Sequence, residues 1–72
     1  MNPHLVLKNN LKEYRKAAGL SQTDLARAVG ASRNTITAIE TGQFCPSAYL
    51  AYLLCEYFKC DFKEMFYMEK EG

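Results

Sequence analysis

No apolar stretch in this 72-residue chain approaches the roughly 18 residues that a membrane span requires. The first eight positions hold only three consecutive apolar side chains, Leu5, Val6 and Leu7, with no basic run ahead of them. A secretory leader is therefore not expected, and the expected compartment is the cytoplasm. Histidine occurs once, at position 4, in a stretch expected to be an exposed arm, with no serine, cysteine or aspartate at a defined spacing. The three cysteines, Cys45, Cys55 and Cys60, are odd in number and show no CxxC spacing. That argues against a disulfide-stapled secreted fold and against a structural zinc, which needs four ligands. They read instead as small reduced side chains in or near a core. No nucleophile constellation and no metal set is visible, so neither enzymatic activity nor a cofactor is expected. Four glycines and two prolines in a chain that is 49% hydrophobic and 24% charged are too few for low complexity or disorder. There is no internal repeat and no linker.

What is present fits one small domain spanning positions 1–72, with its core at about 9–67 and arms at 1–8 and 67–72. A chain this short buries only about 60% of its unfolded surface, so something must supplement the core. The net charge of +1 is unevenly spread. Lys8, Lys12, Arg15, Lys16, Arg27 and Arg33 outnumber Glu13, Asp24 and Glu40 up to position 45. Beyond it, Glu56, Asp61, Glu64, Glu69 and Glu71 outnumber Lys59, Lys63 and Lys70. A mildly basic first part hints at an anionic partner, against the plainer reading of solvated charge.

The hydrophobic spacing and the caps predict five short helices. Residues 4–7 are β-prone. Asn10 is placed to cap a helix over about 11–18, with Leu11, Tyr14 and Ala18 as its apolar stripe and Lys12, Glu13, Arg15 and Lys16 turned away. Gly19 ends it. Ser21 and Asp24 form a capping box for a second helix, whose inward face is Leu25, Ala26 and Val29 and whose end is Gly30. Ser32 caps a third, over about 33–41, with Ile36 and Ile39 inward. Ser47 caps a fourth over 48–58, with Ala48, Ala51, Leu54, Cys55 and Phe58 inward. Asp61 caps a brief fifth over 62–66. Residues 67–70 can pair with residues 5–7 as a small antiparallel ribbon. The fold class is all-α.

The stretch from Gln22 to Glu40 is the most informative. Two helices joined this tightly must cross steeply; Ala26 lets the backbones approach, and Gly30 supplies the positive φ of the turn. The later helix needs only Ile36 and Ile39 for the core. Arg33, Asn34, Thr37 and Ala38 are left together on its free face. This is a helix-turn-helix pattern; a plain helical bundle would have to treat the register as coincidence. Through Leu20-Ser21-Gln22, Leu25-Ala26, Gly30, Ser32-Arg33, Ile36, Ile39-Glu40, Gly42, Pro46-Ser47 and Phe66, residues 9–67 resemble the Cro/phage-repressor-like, XRE-type family of helix-turn-helix transcriptional regulators.

The resemblance implies a repressor-like five-helix domain that binds double-stranded DNA, usually as a homodimer on paired half-sites of a pseudo-palindromic operator. A helix in the major groove reads base edges with its N-terminal residues. Arg33 suits guanine O6 and N7, Asn34 suits adenine N6 and N7, and Thr37 and Ala38 can offer methyls to thymine. Gln22 is placed to bind a phosphate, a role the family also implies. Thr23, Ser32, Thr35 and Gln43 are further phosphate candidates, although Ser32 is open to a capping role alone. Gln43 stands where relatives often carry lysine. Arg15 and Arg27 are open to phosphate contact or plain solvation. Glu40 would repel phosphate, so a structural role, pairing with Arg15, is expected instead. On the fourth helix Tyr49, Tyr52, Leu53 and Glu56, with Tyr57, form a second face that one helix cannot bury alone. It reads as a dimer interface unless the terminal arms cover it. The other reading of that face is an antitoxin-like module for binding a different protein.

Overall fold

The computed structural model describes residues 5–70, and the order of elements is β1 (Leu5–Asn9), α1 (Leu11–Ala17), α2 (Gln22–Val29), α3 (Arg33–Glu40), α4 (Ala48–Phe58), α5 (Phe62–Met65) and β2 (Phe66–Lys70). Five helices with one terminal ribbon is the expected architecture. His4 lies outside the described residues.

The helix starts follow the sequence closely. Ser21 Oγ accepts from the Asp24 backbone N–H at 3.0 Å, and the Asp24 carboxylate accepts from the Ser21 N–H at 3.2 Å. These bonds hold the Asp24 carboxyl below its ordinary pKa. Ser32 and Ser47 accept from Thr35 and Leu50 in the same way. Gly30 closes α2 at φ 74°, a conformation that costs an L side chain roughly 1–2 kcal/mol. The Asn10 side chain departs from expectation. It holds the N-cap position but makes no cap bond; its amide donates instead to the Glu64 carbonyl, and Asn9 Oδ1 takes the Leu11 N–H at 3.1 Å. The end of α4 is also unmarked in the sequence, because Lys59 takes the left-handed position at φ 54°.

The two strands pair antiparallel from Leu5↔Lys70 to Asn9↔Phe66. The first strand therefore runs on to Asn9, two residues further than the strand pattern suggested, and Phe66 joins the ribbon instead of α5. Asn9 ties it to the helices by donating from Nδ2 to the Ile39 carbonyl at 3.0 Å. The paired strands are thus fastened to the C-terminal end of α3.

Leu11, Leu25, Ile36, Ile39, Leu54 and Met65 are fully buried and fill the centre between the helices. Ala26, 3% exposed, lies in the same cluster on α2. Three expected core positions move. Ala18 and Ala48 are exposed, and Cys45 is exposed where a core or half-buried thiol was expected. In α1 the inward place goes to Arg15, only 9% exposed, for a reason that belongs to the site below. Cys55 is buried and Cys60 half-buried. Burial pushes the Cys55 thiol up to about 11, so it stays protonated at neutral pH. Replacing Ala26 by Leu should force α2 away from its neighbours. We expect a loss of about 1–3 kcal/mol in urea unfolding, measured against Ala28→Leu on the exposed side of the same helix as a neutral reference.

Candidate nucleic-acid interface

Ile36 and Ile39 are three residues apart, hence on one side of α3, and both are fully buried. That fixes the helix's rotation. Arg33 and Asn34 are left exposed at its first turn, with Thr37 and Ala38 half-buried one turn on. The four residues expected to read bases therefore share one accessible side of one helix.

A buried ion pair sets where that helix sits. Arg15 Nε meets Glu40 Oε2 at 2.6 Å and its Nη2 meets Oε1 at 3.2 Å, a two-pronged contact between α1 and the last residue of α3. Arg15 Nη1 donates to the Leu20 carbonyl at 2.8 Å. The two side chains are 10% and 2% exposed. The expected pairing is present, but Arg15 is not turned away from the core and is removed from the phosphate candidates. Arg27 is exposed.

The same carboxylate organises Gln22. Gln22 Nε2 donates to Glu40 Oε1 at 3.1 Å. An ionised carboxylate only accepts, so the amide must turn its nitrogen to Glu40 and its oxygen to Thr37. Thr37 Oγ1 lies 2.9 Å from Gln22 Oε1 and 3.1 Å from the Arg33 carbonyl. Its single proton is committed to these acceptors, so Thr37 retains only oxygen lone pairs and a methyl for an outside group. Gln22 keeps one free amide N–H. The chain Arg15–Glu40–Gln22–Thr37 thus joins α1, α2 and α3 through side chains. The Gln22–Thr37 link was not foreseen; fifteen residues across a turn leave no periodic signal.

The remaining candidates separate. Thr23 and Gln43 are exposed. Gln43 is held just past α3 by its backbone N–H on the Ala38 carbonyl at 2.9 Å. Ser32 and Thr35 bond each other at 2.8 Å while Ser32 caps the helix; their hydroxyls are already engaged. On α4, Tyr49 and Tyr52 are 74% and 64% exposed and Tyr57 and Glu56 are exposed as well, whereas Leu53 is half-buried. No helix among the described residues is long and apolar enough to cross a membrane.

A family model described as helix-turn-helix matches residues 11–65, and its span contains α1 to α5. The chain belongs to the XRE-type helix-turn-helix family of DNA-binding regulators. Within that family it is similar to the HTH-type transcriptional regulator YgzD of Bacillus subtilis, with 40% identity over 92% of this chain and 100% of that protein. It is also similar to an HTH-type transcriptional regulator of Methanocaldococcus jannaschii, with 42% identity over 90% of this chain and 98% of that protein. Its fold resembles the crystal structure of transcriptional regulator VanUg at a TM-score of 0.78, with 21% identity over 97% of this chain and 93% of that one. A further relative, Antitoxin PezA of Streptococcus pneumoniae, is 32% identical over 83% of this chain but only 38% of its own length.

The helix-turn-helix rests on Glu40 remaining charged. Burial pushes the carboxyl pKa up, but the hydrogen bonds from Arg15 and Gln22 and the charges of Arg15 and Lys12 outweigh it, so it falls below the ordinary 4.5. A depressed folded value means that the pair's stability is present above the unfolded pKa and is lost as pH falls through the folded one. Unfolding free energy should therefore hold steady from neutral pH down to about pH 5 and decline below 4.5. Glu40→Gln should flatten that acid limb. At neutral pH it should cost about 3 kcal/mol, the lower end for stripping a buried charge of its partner. Urea melts across pH check both.

Proposed function

We propose that the chain is a sequence-specific reader of double-stranded DNA that works as a homodimeric repressor, occupying a pseudo-palindromic operator. The observation that carries this reading is the exposed polar first turn of α3, Arg33 and Asn34, on a helix whose opposite side is pinned by Ile36, Ile39 and the Arg15–Glu40 pair. A major groove admits one helix, and the N-terminal residues of such a helix reach base edges. Arg33 then forks onto guanine and Asn34 pairs with adenine. Thr37, its proton committed inward, accepts from an exocyclic amine or touches a thymine methyl, with Ala38 beside it. Phosphates fall to the free N–H of Gln22, to Thr23 and to Gln43, with Ser32 and Thr35 contributing little beyond the cap. The exposed tyrosines of α4 and Glu56 belong to the surface at which two copies meet.

A second reading, an antitoxin-like module that holds a different protein on the α4 aromatics, draws on the exposure of Tyr49 and Tyr52 and on the partial likeness to Antitoxin PezA. Gel shifts separate the two. The DNA reading expects a pseudo-palindrome to emerge from a random duplex pool, with affinity falling steeply in salt. Absence of retardation even at low salt would leave only the protein-binding reading. On the selected duplex, Arg33→Ala should relax preference at its base by about 1–3 kcal/mol. Gln43→Lys should instead tighten binding to all sequences alike and steepen the salt slope by roughly one.

A further inference from the structure

Helix α4 closes on Lys59 at φ 54°, the one non-glycine residue with positive φ among the described residues. Beyond it, the Cys60 N–H donates back to the Cys55 carbonyl at 3.0 Å. This is a Schellman closure, in which the residue after the left-handed position packs on the residue at the start of the last turn. That contact ordinarily joins two apolar side chains; here both residues are cysteines. An N–H···O bond of this length holds their Cα atoms within about 7 Å, the outer limit for a disulfide. Cys55 is buried and Cys60 half-buried. Both line one groove of about 390 Å³, together with Tyr52 and Phe62. The Cys60 thiol lies close enough to add to burial in pushing the Cys55 thiol up to about 11. After burial, it is also the main group that pushes up the Tyr14 hydroxyl of α1. Cys45 stands apart: it is exposed and lines a different hollow, with Asn9, Phe44 and Phe66. No group of three potential metal ligands occurs among the described residues, so the chemistry open to this pair is a bond between the two sulfurs.

We propose that Cys55 and Cys60 form a peroxide-responsive dithiol, in which the accessible Cys60 is oxidised first and Cys55 then closes an intramolecular disulfide onto it. The Cys60 sulfur attacks one oxygen of hydrogen peroxide. An S–O bond forms, the O–O bond breaks, and the departing hydroxide takes the thiol proton and leaves as water. The Cys55 sulfur then attacks the Cys60 sulfur of the resulting sulfenic acid. An S–S bond forms, the S–O bond breaks, and the hydroxide leaves with the Cys55 proton as a second water. Two thiols lose two electrons and one peroxide gains them. The thiolate is the reactive form, so a buried thiol that keeps its proton is a poor first target. Cys55 is therefore the resolving partner, and its step is the slower one. Closure pins the turn at Lys59 and removes the S–H beside Tyr14, which ties the end of α4 to the oxidation state of its surroundings. The inference goes beyond the DNA reading and does not depend on it.

The test treats the folded full chain with hydrogen peroxide, then denatures, alkylates and maps it by mass spectrometry. Alkylation should fall from all three cysteines to Cys45 alone, with Cys55 and Cys60 linked within one chain, and dithiothreitol should restore all three. Cys45→Ser should form the same link as readily. Two further variants are made on that Cys45→Ser chain and exposed to peroxide with dimedone, which traps sulfenic acids. With Cys55→Ala, dimedone should label Cys60. With Cys60→Ala, Cys55 should stay unlabelled over the time that labels Cys60 fully in the other variant. Circular dichroism checks that both fold; if Cys55→Ala does not, the link map of the Cys45→Ser chain decides the matter. A bond from Cys45 to either other thiol, bonds only between chains, free Cys55 and Cys60 after Cys45 has been oxidised, or dimedone on Cys55 ahead of Cys60 overturns the proposal.

Discussion

The contact between Arg15 and Glu40 is the constraint on which the arrangement depends. A short helix with two inward isoleucines is fixed in rotation but poorly fixed along its axis, because apolar packing is not directional. The two-pronged guanidinium–carboxylate bond is directional. It anchors the C-terminal end of α3 to α1, and the second acceptor site on Glu40 orients Gln22 and, through it, Thr37. Removing two charges from water is expensive, and burying a pair in place of apolar side chains gains little stability by itself. Its return is geometric: the face of α3 opposite the core is held at a set height and angle.

The molecule divides into two surfaces with different chemistry. The helix-turn-helix side presents short polar groups on rigid elements, suited to a polar, hydrated partner. The side formed by α4, α5 and the ribbon leaves Tyr49, Tyr52, Phe62 and Met68 largely uncovered. A domain of 72 residues has too little volume to bury every aromatic it carries. The ribbon pairs β1 with β2, and Asn9 binds that ribbon to the end of α3. The apolar surface of α4, α5 and the ribbon and the polar face of α3 are therefore parts of one packed unit.

Much of this was legible in the sequence because caps are local chemistry. Ser21, Ser32 and Ser47 each bond a backbone N–H three residues on, so serine before an apolar-periodic run marks the start. Gly19, Gly30 and Gly42 all take positive φ. Lys59 does the same without a glycine's signature, so no residue type marks the end of α4 there, although the helix was expected to stop at 58. Arg15 was misplaced because a lysine or arginine on a short helix is ordinarily solvated; only the carboxylate twenty-five residues away makes its burial tolerable. The Gln22–Thr37 bond and the exposure of Phe62 were invisible for a related reason. Each depends on which surfaces tertiary packing leaves side by side, and no spacing along the chain encodes that.

The central claim is that the polar side of α3, positioned from behind by Arg15 and Glu40, is the surface that meets the duplex. An amide-resolved NMR titration of the full chain with a selected duplex tests it most directly. Perturbed signals should gather at Arg33, Asn34, Thr37 and Ala38, with Gln22, Thr23 and Gln43 at the margins, while those of α5 move only as far as self-association requires. Perturbations concentrated on α4 and the ribbon, with the first turn of α3 unmoved, would contradict the account.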